Sequence, residues 1–169
     1  NYTIDFHAGT YTVADKLVQS EFRFESIPSA VSKTYGDPDF SAGAVGAAEG
    51  STVTYESSAP AVATVDSTGK VTIKGAGTAV ITARASATAE YDEAAATCNL
   101  TVGKKTVTVK AKDQTAYVGD KAPVLGTDSY TVSGLVGEEK LTTQPTVKYV
   151  GADGSEITPD MTKTGEVKI

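Results

Sequence analysis

SSAPAVATVDSTGKVTIKGAGTAVITARA, Ser57 to Ala85, decides the fold. Apolar and polar residues alternate in Val62-Ala-Thr-Val65, Val71-Thr-Ile73 and Ala79-Val-Ile-Thr-Ala83, and a period of two marks strands with one buried face. Ser67-Thr-Gly69 and Lys74-Gly-Ala-Gly77 supply the turns, where glycine takes backbone angles that other residues resist. Asp66 through Gly69 reads as a tight hairpin, and Val65, Val71, Ile73 and Ile81 as core.

Working outward, Phe22-Arg-Phe24, Val53-Thr-Tyr55 and Asn99-Leu-Thr-Val102 continue the pattern. Short strands at this spacing predict an all-β, two-sheet sandwich over residues 21–102. Residues 14–20, ADKLVQS, are polar and read as a connector. A second mostly-β module follows over 103–169. The chain is thus expected to hold tandem small modules.

The run from Ser57 to Ala85 resembles the bacterial immunoglobulin-like group 2 (BIG2) repeat, whose pattern is met at Pro60, Val62, Ala63, Val65, Asp66, Gly69, Val71, Gly77, Ala79, Ile81, Thr82 and Ala83. TVTVKAKDQTAYVGDKAP, Thr106 to Pro123, and YTVSGLVGEEKL, Tyr130 to Leu141, resemble the mostly-β, glycine-containing MBG modules of bacterial surface proteins. Those modules commonly close on a segment of the form NYTI-x₄-GT-x-TV, which residues 1–13 match. The resemblance implies a segment of a bacterial cell-surface or secreted protein, extracellular or cell-wall associated. It also implies that residues 1–13 are closing strands of an upstream or complementing module, and that 103–169 lacks its own.

An internal repeat points the same way. Tyr2, Thr12 and Val13 are spaced as Tyr91, Thr101 and Val102 are. Tyr2, Ile4 and Phe6 alternate with polar residues, Ala8-Gly9 offers a turn, and Tyr11 and Val13 follow. Tyr35-Gly-Asp-Pro38 partly echoes Tyr117-Val-Gly-Asp120, as though the two module types share an entry turn. An unfinished sheet exposes backbone groups, so Tyr2, Ile4 and Phe6 of one chain are expected to pair beside Val167 and Ile169 of another in head-to-tail strand exchange.

Composition excludes several classes. The net charge is −6 and the 15 lysines and arginines are scattered, so the basic stripe that nucleic acid requires is missing. An anionic membrane surface is disfavoured for the same reason, and no apolar run is long enough for a membrane helix. Hydrophobic content of 40% suffices for a core, but with 7% aromatics and no tryptophan it must be thin and rich in Val, Ile and Ala.

Chemistry is sparse. His7 is the only histidine and Cys98 the only cysteine, which leaves no intramolecular disulfide, no His-rich metal site and no neighbour to activate the thiol. A G-x-S-x-G elbow and a phosphate loop are both missing. The carboxylates of Asp37 and Asp39, and of Glu90, Asp92 and Glu93, are weak calcium candidates, since neither group has the spacing of a regular calcium loop. No cofactor is expected. The function expected is a non-enzymatic structural spacer of neighbouring modules presenting a distal adhesive or catalytic domain. The alternative is an adhesin-type module that binds a host protein or glycan through an exposed edge or loop.

Overall fold

The computed structural model describes residue 9, residues 13–163, and residues 165, 167 and 169. Among these the chain is all-β, without an α-helix, and divides into two compact units, Asn1–Lys104 and Lys105–Ile169. Tyr2, Ile4, Phe6 and His7 lie outside the described residues.

Unit one is an immunoglobulin-like sandwich. Its larger sheet is ordered β2 (Ala30–Thr34), β9 (Ala94–Gly103), β8 (Gly77–Ala85), β5 (Val53–Ser57), with β2 parallel to β9 and the other neighbours antiparallel. The opposing sheet is β3 (Phe40–Ser41), β7 (Lys70–Ile73), β6 (Ala63–Val65). A two-residue pairing of β1 (Arg23–Phe24) with β4 (Ala44–Val45) completes the set.

Alternation decides which side chains meet. Along β8 the buried residues are Ala79, Ile81, Ala83 and Ala85; along β9 they are Cys98, Leu100 and Val102. These face Ala42, Ala63 and Val71 of the opposing layer, with Phe22 and Phe24 in the same cluster. Val62, Val65 and Ile73 are half-buried against it. Alanine at so many central positions brings the layers together with little side-chain volume, as a composition poor in aromatics requires.

The Asp66–Gly69 hairpin forms between β6 and β7, Val65 pairing with Val71. The Asp66 N–H donates to the Lys70 carbonyl at 3.0 Å and the Gly69 N–H to the Asp66 carbonyl at 3.0 Å. Gly69 has φ of +82°, and a Cβ there would press on the Ala42–Gly43 backbone at about 3 Å. Gly77, with φ of +147°, opens β8. Pro60 is exposed at the turn before β6.

Among its described residues unit two has two strands, β10 (Thr108–Ala111) and β11 (Tyr130–Ser133), paired antiparallel. A 3-10 turn, Thr127–Ser129, leads into β11, and an isolated bridge links Val150 to Glu156. Tyr130 is its one buried large apolar residue among those described, and its hydroxyl donates to Gln144 Oε1 at 2.6 Å.

Candidate functional site

Three places in the described residues combine several elements: the entry to unit one, its Asp66 turn, and a groove in unit two.

At the entry, residues 14–20 lie along the body of the sandwich. The Leu17 N–H donates to the Glu90 carbonyl at 2.8 Å and the Asp92 N–H to the Leu17 carbonyl at 2.9 Å, a parallel bridge between Leu17 and Tyr91. Gln19 is 7% exposed and ties three segments together. Its Nε2 donates to the carbonyls of Asp92 (2.6 Å) and Ser86 (3.2 Å), while its Oε1 accepts from the Ala48 N–H (2.8 Å). A buried amide with both ends bonded fixes the backbone on each side of it. Nothing in a polar heptapeptide flags this residue, because its partners are backbone groups 29 to 73 positions away.

Gly46 makes the close approach there. Its φ is +79°, and a Cβ would collide with the Glu21 carbonyl. The entry bridge lies just ahead of the first residues of β9, and the chain leaves unit one at Lys104, just past the last. A ten-residue strand at about 3.3 Å per residue separates entry from exit by roughly 30 Å.

The second place is a pair of exposed carboxylates, Asp66 bonded within its own turn and Asp39 paired with Lys70. Asp66 Oδ1 accepts from the Thr68 N–H (2.8 Å), the Thr68 hydroxyl (2.6 Å) and the Lys70 N–H (3.0 Å). These bonds, the Thr68 hydroxyl first, hold its carboxyl below the usual aspartate range. Asp39 is held low chiefly by the Lys70 ammonium, 2.8 Å away, which is itself raised by Asp39.

The remaining calcium candidates are dispersed among local tasks. Asp37 Oδ2 accepts from the Thr34 N–H at 2.9 Å, and the Glu90 N–H donates to the Thr88 hydroxyl at 3.3 Å. Asp92 lends its backbone to the entry bridge, and Glu93 is exposed. Asp37, Asp39, Glu90, Asp92 and Glu93 are not brought together: among the described residues no three His, Cys, Asp or Glu side chains converge as a cation would require.

Cys98 is buried on β9 opposite Ile81, and burial raises its thiol above the ordinary value. That is the opposite of what a nucleophile needs.

The Asp37 turn recurs in unit two. Asp37 N–H donates to the Thr34 carbonyl, and Asp120 N–H to the Tyr117 carbonyl. Each aspartate's Oδ2 accepts from the same first residue's N–H, Thr34 (2.9 Å) and Tyr117 (3.1 Å). Gly36 and Gly119, third in each turn, have φ of +90° and +92°. The shared register therefore runs through glycine and aspartate, one residue off the tyrosine alignment.

The third place is an open groove of about 910 Å³ in unit two. One wall is 111–118, with Ala111, Tyr117 and Val118; the other is drawn from 159–169, with Met161, Val167 and Ile169. Tyr149 contributes as well, its hydroxyl held by the Pro123 carbonyl at 2.8 Å. Val167 and Ile169, expected as strand-exchange positions, are among the residues that line this groove.

No helix among the described residues is long and apolar enough to cross a membrane. Comparison with curated proteins returns no match. Residues 44–88, from β4 past the end of β8, match the family model of the intimin immunoglobulin-like domain, and this part of the chain is therefore similar to a bacterial immunoglobulin-like domain of surface-protein type.

Proposed function

We propose that the chain is a non-enzymatic spacer segment of a bacterial cell-surface or secreted protein, built of a group 2 immunoglobulin-like module followed by an MBG-like one. The observation that carries this reading is the placement of entry and exit on unit one. The polypeptide arrives beside the first residues of β9 and departs beyond the last. A module threaded this way adds length, and repetition of such modules extends a stalk.

The fastening of residues 14–20 supports the same role. A flexible linker would let the modules swing, whereas the Leu17–Tyr91 bridge and the Gln19 amide set the direction in which the chain arrives. The family match over 44–88 supports the bacterial-surface setting.

Spin labels on Asp15→Cys and Lys104→Cys test the reading, Cys98 being too buried to label. A narrow distance distribution centred at or above about 30 Å is expected from the strand rise. A broad distribution reaching short distances would overturn the rigid-spacer assignment. Tyr117 and Val118, at 78 and 56% exposure and both lining the groove, support a second reading as a host-protein or glycan binder, because exposed apolar side chains that cluster mark interaction sites. Saturable binding on a glycan or matrix-protein array, lost on Tyr117→Ala, would favour that one.

A further inference from the structure

We propose that the outer edge of β5 is a self-pairing surface, on which β5 of a second copy of the chain adds antiparallel about Tyr55. Two four-stranded sheets then join into one. Three observations within unit one converge on this partner.

The first is that β5 is a long edge left open. Among the described residues it stands at the end of its sheet, with β8 as its ladder neighbour. The Ser86 N–H donates to the Thr52 carbonyl and the Ser58 N–H to the Val80 carbonyl, so the even-numbered residues form the bonded pairs of this antiparallel ladder. By the same alternation the N–H and C=O groups of Val53, Tyr55 and Ser57 point away from β8. The other edges of the sandwich are blunted. β3 has two residues and β6 three, and the Ala63 N–H of β6 donates to the Ala59 carbonyl. On β2 the Tyr35 N–H donates to Gly103 of β9, which turns the Thr34 groups outward, and Asp37 takes both of them. Short or capped edges are how sheets avoid added strands. β5 has five residues with neither proline nor lysine, in a register without a bulge.

The second is that the edge is ordered in advance. Ser86 Oγ accepts from the Thr52 N–H at 2.9 Å, and Ser58 Oγ accepts from the Val80 N–H at 2.8 Å. Between them the Tyr55 hydroxyl accepts from the Ala44 N–H at 2.9 Å. A strand held at both ends and in the middle loses little freedom on pairing.

The third is that the strand matches itself. Antiparallel pairing about Tyr55 sets Tyr55 opposite Tyr55 and Val53 opposite Ser57, so all three outward residues gain bonded partners. Thr54 and Glu56, exposed on the outer face, then face each other across the junction. Arg84 lies opposite Thr54 on β8, and Thr82 opposite Glu56. Each row of the joined sheet therefore reads Arg84, Thr54, the partner's Glu56, the partner's Thr82, which places opposite charges in one row. Centring the pairing on Glu56 would set two carboxylates directly opposite, a destabilising arrangement. Centring it on Thr54 would leave Ser57 without a partner from β5. One register satisfies both backbone and charge, and it specifies a second copy. The contact is isologous and closes as a dimer. Five residues bury little area, so the dimer is weak and forms with rising concentration.

The test is amide exchange and sedimentation on the full chain across a concentration series, with cysteine trapping. The Val53, Tyr55 and Ser57 amides are expected to slow as the dimer forms, while Thr54 and Glu56, already bonded to β8, change little. Facing residues of a non-bonded pair have Cα atoms about 4.5 Å apart, within disulfide reach. Diagonal ones lie about 7–8 Å apart. A mixture of Thr54→Cys and Glu56→Cys chains should therefore crosslink, and neither variant alone should; Cys98 is buried and does not compete. A chain that stays monomeric up to about 1 mM overturns the proposal, since that is the weak limit of specific association. So does protection of the three amides that is independent of concentration, which would place another part of the same chain on the edge. A dimer that leaves these amides unprotected, or crosslinking of Glu56→Cys alone, overturns it by showing another face or register. The spacer reading rests on the distance from Asp15 to Lys104 and stands or falls separately.

Discussion

Unit one and unit two are both built of short strands, yet their apolar side chains end in different places. In unit one Val71, Ile81, Cys98 and Leu100 are the largest fully buried side chains, and two facing sheets hide them. In unit two Tyr130 alone of the described large apolar residues is buried, and seven of the ten large apolar residues that stand exposed belong to it. The two differ in strand count more than in composition. Four strands against three create a closed interior, whereas two strands give each valine a neighbour on one side and water on the other. Burial in each unit therefore follows the number of strands that face one another.

The largest test of this contrast is truncation of buried against exposed side chains. Leu100→Ala removes a fully buried side chain opposite Ala79 and Val31 and is expected to cost about 2–5 kcal/mol. Val124→Ala, at 94% exposure, is expected within about 0.5 kcal/mol of zero. Opening free energies from amide exchange in β8–β9 and β10–β11 measure the two separately. A large penalty at Val124 would show that unit two hides it against something.

Next in size is the entry clamp. Gln19→Ala leaves the Ala48 N–H and the Asp92 carbonyl without their side-chain partner and the Ser86 carbonyl with the Ser51 hydroxyl alone, for which about 1–3 kcal/mol is expected. The effect should appear as faster exchange of the Leu17 and Asp92 amides and a broader distance distribution from the Asp15 label. Unchanged exchange would mean that the Leu17–Tyr91 bridge holds the entry alone. Smaller again is Tyr130→Phe, which deletes the bond to Gln144 and is expected to cost about 1 kcal/mol, read from β10–β11 exchange.

The strands of Ser57–Ala85 were legible because each carries two or more apolar residues in alternation and a glycine at its turn. Structure places β6, β7 and β8 on those stretches and Val71 and Ile81 at their centre. β3 and β4 escaped because two residues have no period. β2, AVSKT, escaped because it is a sheet edge with one apolar anchor, Val31, and its parallel pairing to β9 is a long-range choice. The leading half of β9 escaped for another reason. Ala94-Ala-Ala-Thr97 has no strand preference of its own, and it extends because Thr82 to Ala85 lie opposite. Of the functional features, the Gln19 clamp could not be anticipated, because its partners are backbone groups far along the chain.

One device should behave alike in both units. Asp66, Asp153 and Asp160 each accept from the N–H and hydroxyl two residues on, in Thr68, Ser155 and Thr162. All three carboxyls are held below the ordinary aspartate value, the hydroxyl being the leading cause in each. A folded pKa below the unfolded one gives a contribution fully present above the unfolded value, about 3.9 for aspartate. That contribution is lost as pH falls through the lowered folded value. The groups are exposed, so the loss should be local turn loosening at acid pH without global unfolding. Carboxyl NMR titration is expected to find all three low, with Thr68→Ala, Ser155→Ala and Thr162→Ala each moving its aspartate up toward the ordinary value. These turns draw on neighbours two residues away and need no core. An Asp153 or Asp160 that titrates at the ordinary value while Asp66 stays low would show that the thin packing of unit two reaches even its tightest turns.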